Sequence, residues 1–144
     1  MDREAVLRLE LFVEDMAASI DFYTQVLAFE VVRHEPDDYT SLSWGNAVLG
    51  IGPVAKLPED GGYFGRDISS YCRGLGVEIV LEVDDVDEWH TRVGASGHPI
   101  LESLHDRPWG LRDFRIADPD SYYLRITSGP ADGQQATFGE HAFM

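Results

Sequence analysis

Two short stretches constrain the fold more than anything else in the chain. "LFVED", residues 11–15, and "LEVDD", residues 81–85, match at a constant offset, so that Val83 repeats Val13 and Asp85 repeats Asp15. Each closes an alternating run. In "VLRLELFV" the residues Leu7, Leu9, Leu11 and Val13 share one strand face, and Arg8, Glu10 and Phe12 share the other. In "VEIVLEV" the residues Val77, Ile79, Leu81 and Val83 oppose Glu78, Val80 and Glu82. Each run is followed by an acid able to cap a helix, Asp15 in the first case and Asp84 or Asp85 in the second. Helical stripes come next: Met16, Ile20, Tyr23 and Leu27, then Val86, Trp89, His90 and Val93, with Gly97 as a stop.

Short strands complete each half. The first has "FEVVRHE", "YTSLSW" and "AVLGIG"; the second has "PILESL", "LRDFRIA" and "YYLRIT". The order strand, helix, strand, strand, strand is therefore used twice. The expected organisation is one domain over 1–144, made of repeat 5–52 and repeat 75–128. A Gly- and Pro-rich linker spans 53–74, and a tail without periodicity, expected to be poorly ordered, spans 129–144.

With 144 residues and 44% apolar content, the chain can bury the core of one domain. Its single cysteine, Cys72, precludes an internal disulfide. The formal charge of −15, from 26 acids against 11 bases, repels phosphate backbones and argues against nucleic acid as a partner. That charge favours a cationic small molecule, or serves solubility alone. No apolar run is long enough to span a membrane, and the start "MDREAVLRLE" is charged. These features read as a soluble, cytoplasmic protein with no membrane partner.

The doubled pattern resembles the vicinal-oxygen-chelate superfamily of glyoxalases, extradiol dioxygenases, fosfomycin-resistance enzymes and bleomycin-resistance proteins. The resemblance covers roughly residues 5–128. It is carried by "FVEDMAASIDFYTQVLAFEVV", "LEVDDVDEWHTRV" and "RPWGLRDFRIADPDSYYLRI", the last looking most like the antibiotic-binding, bleomycin-resistance branch. The implied fold is α+β, two βαβββ repeats forming open curved mixed sheets with the helices outside. Two positions depart from the family pattern: its Gly after the first helix is Ala28, and its Gly-Asn after Asp-Pro-Asp is Ser121-Tyr122, so that turn is open to a different shape.

Metal-dependent members of that superfamily carry His, Glu or Gln ligands on the first and last strands of each half. The resemblance puts those places at Arg8, Gly50, Glu78 and Arg125. Only Glu78 has a lone pair to offer; Gly50 has no side chain and the guanidiniums stay protonated. No metal site, no cofactor and no catalytic residue is therefore expected. Arg8, Glu78 and Arg125 are expected to point into one cavity, where Glu78 either neutralises the arginines or helps present a polar floor to a ligand.

If Gly45-Asn46 is a two-residue hairpin loop, Trp44 faces Ala47, Ser43 faces Val48 and Ser41 faces Gly50. Tyr39, Ser41, Ser43, Val48 and Gly50 then line the face away from the helix. Gly50 and Gly52 either admit a broad planar group or relieve strand crowding. In the last hairpin Phe114, Ile116, Leu124 and Ile126 should face the helix, and Asp113, Arg115, Tyr123 and Arg125 the cavity. Tyr63 and Phe64 in the linker and Trp109 before the hairpin supply aromatic walls suited to an organic ligand.

The leading functional expectation is a non-catalytic protein that sequesters a cytotoxic natural product for self-resistance: bleomycin-like, mitomycin-like or an enediyne. The alternative is a metal-independent or atypical enzyme of the same superfamily, of lyase, isomerase or dioxygenase type, acting on a small metabolite. The resemblance also implies a homodimer whose half-cups combine, with ligands in the clefts between chains.

Overall fold

The computed structural model describes residues 4–129, which fall into two compact units that part between Arg73 and Gly74. The expected tail lies outside the described residues except for Gly129.

Unit 1 runs β1 (Leu9–Val13), α1 (Met16–Asp21), β2 (Glu30–Glu35), β3 (Tyr39–Trp44) and β4 (Ala47–Pro53), in a sheet of order β1-β4-β3-β2. Unit 2 repeats it as β5 (Ile79–Val83), α2 (Val86–Ala95), β6 (Glu102–Asp106), β7 (Arg112–Ala117) and β8 (Tyr123–Ser128), in the order β5-β8-β7-β6. In both sheets the first and last strands pair in parallel and the other neighbours are antiparallel. The two mixed four-stranded sheets are the expected pair of βαβββ modules.

The local signals act as read. The Asp15 carboxylate accepts from Ala18 N at 3.1 Å, and the Asp85 carboxylate from Glu88 N at 3.1 Å, so the repeated acids are the two N-caps. The Gly45-Asn46 loop sets the register Trp44↔Ala47, Ser43↔Val48, Leu42↔Leu49 and Ser41↔Gly50. Alternation then buries Leu42, Leu49 and Ile51 with Leu11 and Val13.

The first helix departs from the read stripe. After Asp21 it widens into a π-helical turn, Phe22–Val26, closed by Leu27 N donating to Phe22 O at 3.2 Å. The wider turn brings Ser19, Phe22, Tyr23 and Leu27 into the core and leaves Met16 and Ile20 half-buried. Tyr23 packs edge-on to Phe22 and Phe29, and Phe29 to Trp44. The segment ends with Leu27 in an extended conformation, so no left-handed residue is required where the family's glycine is Ala28. The second helix stops at Gly97 with φ +84°.

The first strands begin later than the alternation implied. Ladder pairing starts at Leu9↔Leu49 and Ile79↔Leu124, so Leu7 and Val77, expected in the core, are exposed. The strand expected over 99–104 is paired over Glu102–Asp106, with an irregularity between Glu102 and His105. Trp89 is half-buried, with the Arg92 guanidinium 4.1 Å above its ring.

The core side of the final hairpin is as expected. Phe114, Ile116, Leu124 and Ile126 are all fully buried, and the His90 ring on α2 packs edge-on to Phe114 at 5.2 Å. Its turn is clamped by Asp118, whose carboxylate accepts from Asp120 N and Tyr122 N at 2.9 Å each. That clamp holds Ser121 at φ +72°, a conformation glycine adopts without cost. Phe114→Ala should lower unfolding stability by ~3–5 kcal/mol, because it empties a closed core site. Denaturant melts measure it, and a loss of less than about 1 kcal/mol would show that the ring is not in a packed core.

Candidate functional site

Each unit presents one strand face away from its helix, and the two faces differ in chemistry. On the face of unit 1, Arg8 precedes β1 and pairs with Glu10 at 2.8 Å. Tyr39 reaches from β3 across β4 and donates its hydroxyl to the same carboxylate oxygen, Glu10 Oε1, at 3.0 Å. This bridge explains Gly50, which lies opposite both Glu10 and Ser41 in the ladder. A Cβ at position 50 would collide with the Glu10 carboxylate and the Tyr39 hydroxyl. The space over Gly50 is thus filled by the protein's own side chains, while Gly52 faces no such crowding. Burial, then the hydrogen bond to Glu10 and its negative charge, raise the Tyr39 phenol above its ordinary pKa.

Beside this bridge is a recess of about 460 Å³ lined by Val6, Arg8, Glu10 and Val48. Ser41 and Ser43 lie half-buried on the adjoining strand. An aromatic surface continues the face. The Phe12 ring on β1 meets Phe64 at 5.3 Å, and Phe64 meets Tyr63 edge-on at 5.9 Å. Tyr63 is 99% exposed and Phe64 half exposed.

The linker that carries these rings is fastened by Arg73. Its buried guanidinium donates to Phe12 O at 2.7 Å and to Ile68 O at 3.3 Å, and pairs with Glu14. A hydrogen bond with Ser69, helped by Arg73 and only partly opposed by burial, holds the Glu14 carboxyl below its usual range. Glu10, Phe12 and Arg73 were not singled out from the sequence as site residues. For the first two the signal was present, since alternation already set them beside Arg8.

The face of unit 2 is an ion cluster. Asp113, fully buried on β7, accepts from Arg107 Nε at 2.9 Å, and Arg107 also donates to Glu102 at 2.5 Å. Burial opposes the charge on Arg107, but the bonds to Asp113 and Glu102 outweigh it and raise its pKa. Glu102 is held below the usual carboxyl range, chiefly by its hydrogen bond from Arg107. Trp109 comes from the tight 107–111 loop, with the Arg107 guanidinium 5.9 Å from its ring. Next to this pair, Arg115 and Arg125 lie directly opposite each other across β7 and β8. Glu78 stands 3.0 Å from Arg125 Nε and 3.9 Å from Arg115 Nε, and Tyr123 flanks Arg115 at 6.0 Å. Glu78 thus stands against Arg125 and Arg115, whereas the expectation had set it against Arg8 and Arg125; Arg8 is engaged by Glu10 instead. Arg107 and Glu102, the organisers of this face, had no local sequence signal; only the β6–β7 pairing brings them together.

The family's metal places do not fit a metal in this chain. Arg8 and Arg125 are cations engaged with carboxylates, Gly50 is covered by the Glu10–Tyr39 bridge, and Glu78 is the only donor of the four. Among the described residues no group of three or more His, Cys, Asp or Glu could hold an ion.

Arg107→Met strands the buried Asp113 carboxylate and should cost ~3–5 kcal/mol of stability. Arg112→Met, which removes exposed bridges to Asp87 and Asp106, should leave the denaturation midpoint nearly unmoved. Equal losses would mean that the buried cluster has no special role. At the other face, Glu10→Gln removes the charge that opposes the Tyr39 phenolate, so the phenol should titrate at lower pH. Ultraviolet difference titration against Tyr39→Phe isolates that group, and an unmoved or higher pKa would exclude the bridge.

Comparison with known proteins places this geometry. Residues 5–126 match the model of the glyoxalase/bleomycin resistance protein/dioxygenase superfamily. A bleomycin resistance protein from Geobacillus stearothermophilus is 31% identical over 81% of this chain and 93% of its own length. TioX from Micromonospora sp. ML1 superposes with a TM-score of 0.67 at 24% identity, over 87% of this chain and 98% of that one. Lactoylglutathione lyase from Agrobacterium tumefaciens superposes with a TM-score of 0.67 at 22% identity, over 93% and 100%. At these identities the two structures speak to the fold, and the match over nearly the whole described chain carries the assignment. The chain belongs to the glyoxalase/bleomycin resistance protein/dioxygenase superfamily.

Proposed function

We propose that this protein is a non-catalytic binder that sequesters a cytotoxic natural product of bleomycin, mitomycin or enediyne type and so protects the cell that makes it. The observation that carries the reading is the Phe12–Phe64–Tyr63 surface beside the Glu10–Tyr39 bridge. A ring as exposed as Tyr63, on a linker fastened by a buried arginine, suits stacking with a planar group better than it suits a core. The neighbouring Glu10 carboxylate and the −15 charge of the chain favour a ligand with a cationic part. The superfamily's metal places, filled by Arg8, Gly50 and Arg125, disfavour metal-dependent turnover. The 31% identical bleomycin resistance protein supports the same class of activity.

The working form is proposed to be a homodimer. Each unit's sheet ends in strands unpaired within that unit, and apolar side chains at Val6, Leu7, Leu75 and Val77 are exposed near β1 and β5.

Calorimetric titration with bleomycin, mitomycin C and an enediyne chromophore tests the reading. At least one should bind and be recovered chemically unchanged. Tyr63→Ala with Phe64→Ala should weaken that binding about tenfold, equivalent to ~1.4 kcal/mol. Sedimentation of the same samples should give a dimer. Failure to bind any of the three, or conversion of the bound compound, sinks the binder; full affinity in a monomer sinks the dimer.

A further inference from the structure

We propose that the strand face of unit 2 holds a subsite for a neutral carboxamide-type group, a carbonyl with an adjacent N–H, formed by Arg115, Arg125 and Glu78. The inference rests on the binder reading and deepens it by naming one chemical group that the ligand carries.

The three arginines of this face are not treated alike. Arg107 donates from Nε to Asp113 and from Nη2 to Glu102, as a guanidinium in a structural ion network does. No side-chain hydrogen bond of Arg115 or Arg125 is made among the described residues, Arg115 Nη1 standing 3.5 Å from Glu102, and the Nε of each is buried without a partner. Only 13% and 9% of their side chains are exposed. Glu78 Oε1 lies 3.0 Å from Arg125 Nε, yet the pair is not aligned for a hydrogen bond, so Glu78 balances charge and leaves the donors free. Two like charges directly opposite on neighbouring strands destabilise a sheet. Buried donors left unmade destabilise it further. A fold that carries both features, while satisfying Arg107 a few residues away, keeps those donors for something outside the chain.

Charge decides what that is. Arg107, Arg115 and Arg125 stand with Glu78, Glu102 and Asp113, three of each sign. An incoming anion meets carboxylates already paired to the same guanidiniums, on a chain of charge −15. An incoming cation meets two arginines. A neutral amide fits both halves: its carbonyl accepts from the guanidinium N–H groups and its N–H donates to Glu78, which makes no hydrogen bond of its own among the described residues. The group is reachable from solvent, since Glu78 and Glu102 keep 30% and 37% of their side chains exposed.

Nitrogen-15 spectra of the intact protein resolve arginine Nε–H groups and test the subsite directly. The probes are N-acetylglycinamide, acetate and sulfate at matched ionic strength. Arg115→Lys and Arg125→Lys keep the charge, remove each Nε–H and so assign the signals. The amide should shift both signals saturably and leave that of Arg92, on α2 over Trp89, unmoved. Acetate and sulfate should do neither. Glu78→Gln removes the opposing charge and should swing the preference from amide to acetate, an effect that a purely structural carboxylate would not produce. Shifts by acetate or sulfate at or below the amide's concentration in the native protein overturn the assignment, as does no shift with any probe. A natural product that binds native and Arg125→Lys protein equally sinks the subsite and leaves the binder standing. Amide shifts without binding of any natural product sink the binder and leave the subsite standing.

Discussion

The parallel pairing of the first and last strand in each repeat is the constraint on which the rest depends. Parallel partners need a crossover, and here α1 or α2 and two further strands supply it. The helix can cover only one face of the sheet that results. Alternation then sends every second residue of four strands to the other face. The polar groups of the two candidate faces arise there: Glu10 and Tyr39 in unit 1, and Asp113, Arg115 and Arg125 in unit 2. The helix faces have little to vary. Leu11, Val13, Leu42, Leu49 and Ile51 in one unit are matched by Leu81, Phe114, Ile116, Leu124 and Ile126 in the other.

How much of this could be read in the sequence follows from how local each signal is. The Gly45-Asn46 loop sets the β3–β4 register within a few residues, so the faces of Ser41, Ser43 and Val48 follow from it. The caps at Asp15 and Asp85 are similarly local. The π-turn was not legible, because a five-residue turn differs from the 3.6-residue period by less than a short stripe resolves. The late start of β1 and β5 was hidden by alternation that continues past the last paired residue, which is why Leu7 and Val77 read as core. For the candidate site, single residues were legible and their partners were not. Arg125 and Glu78 stood out, but Arg107 becomes a neighbour of Asp113 only through the β6–β7 hairpin, and Arg73 reaches Phe12 from far along the chain.

The two faces solve the problem of polar groups beside a core in different ways. In unit 1 the cost is kept low by exposure. Glu10 keeps 37% of its side chain in solvent, and Gly50 makes room for the tyrosine that caps its carboxylate. In unit 2 the charges are drawn inward. Asp113 is sealed and Arg107 is nearly so. A buried ion pair of this kind seldom adds net stability over an apolar pair of the same volume. Its effect lies in orientation: Asp113 and Glu102 hold Arg107 from two sides, and that leaves Arg125 with Glu78 as its counter-charge and Arg115 between Glu102 at 3.5 Å and Glu78 at 3.9 Å.

This division bears on how one superfamily fold serves both metal chemistry and binding. Within each unit the matched positions on or beside the first and last strands, Arg8 with Gly50 and Glu78 with Arg125, belong to the strand face away from the helix whatever residues fill them. With histidines and carboxylates there, the donors face an ion. With Arg8 in unit 1 and Arg125 in unit 2, each face presents N–H donors, which repel a cation and attract a carbonyl or a counter-charge. Gly50 makes a further difference, because a missing side chain lets a residue from the next strand, Tyr39, cross the position where a ligand atom would otherwise sit. The backbone therefore keeps the geometry of a coordinating fold while the side chains give it the chemistry of a hydrogen-bonding and stacking surface.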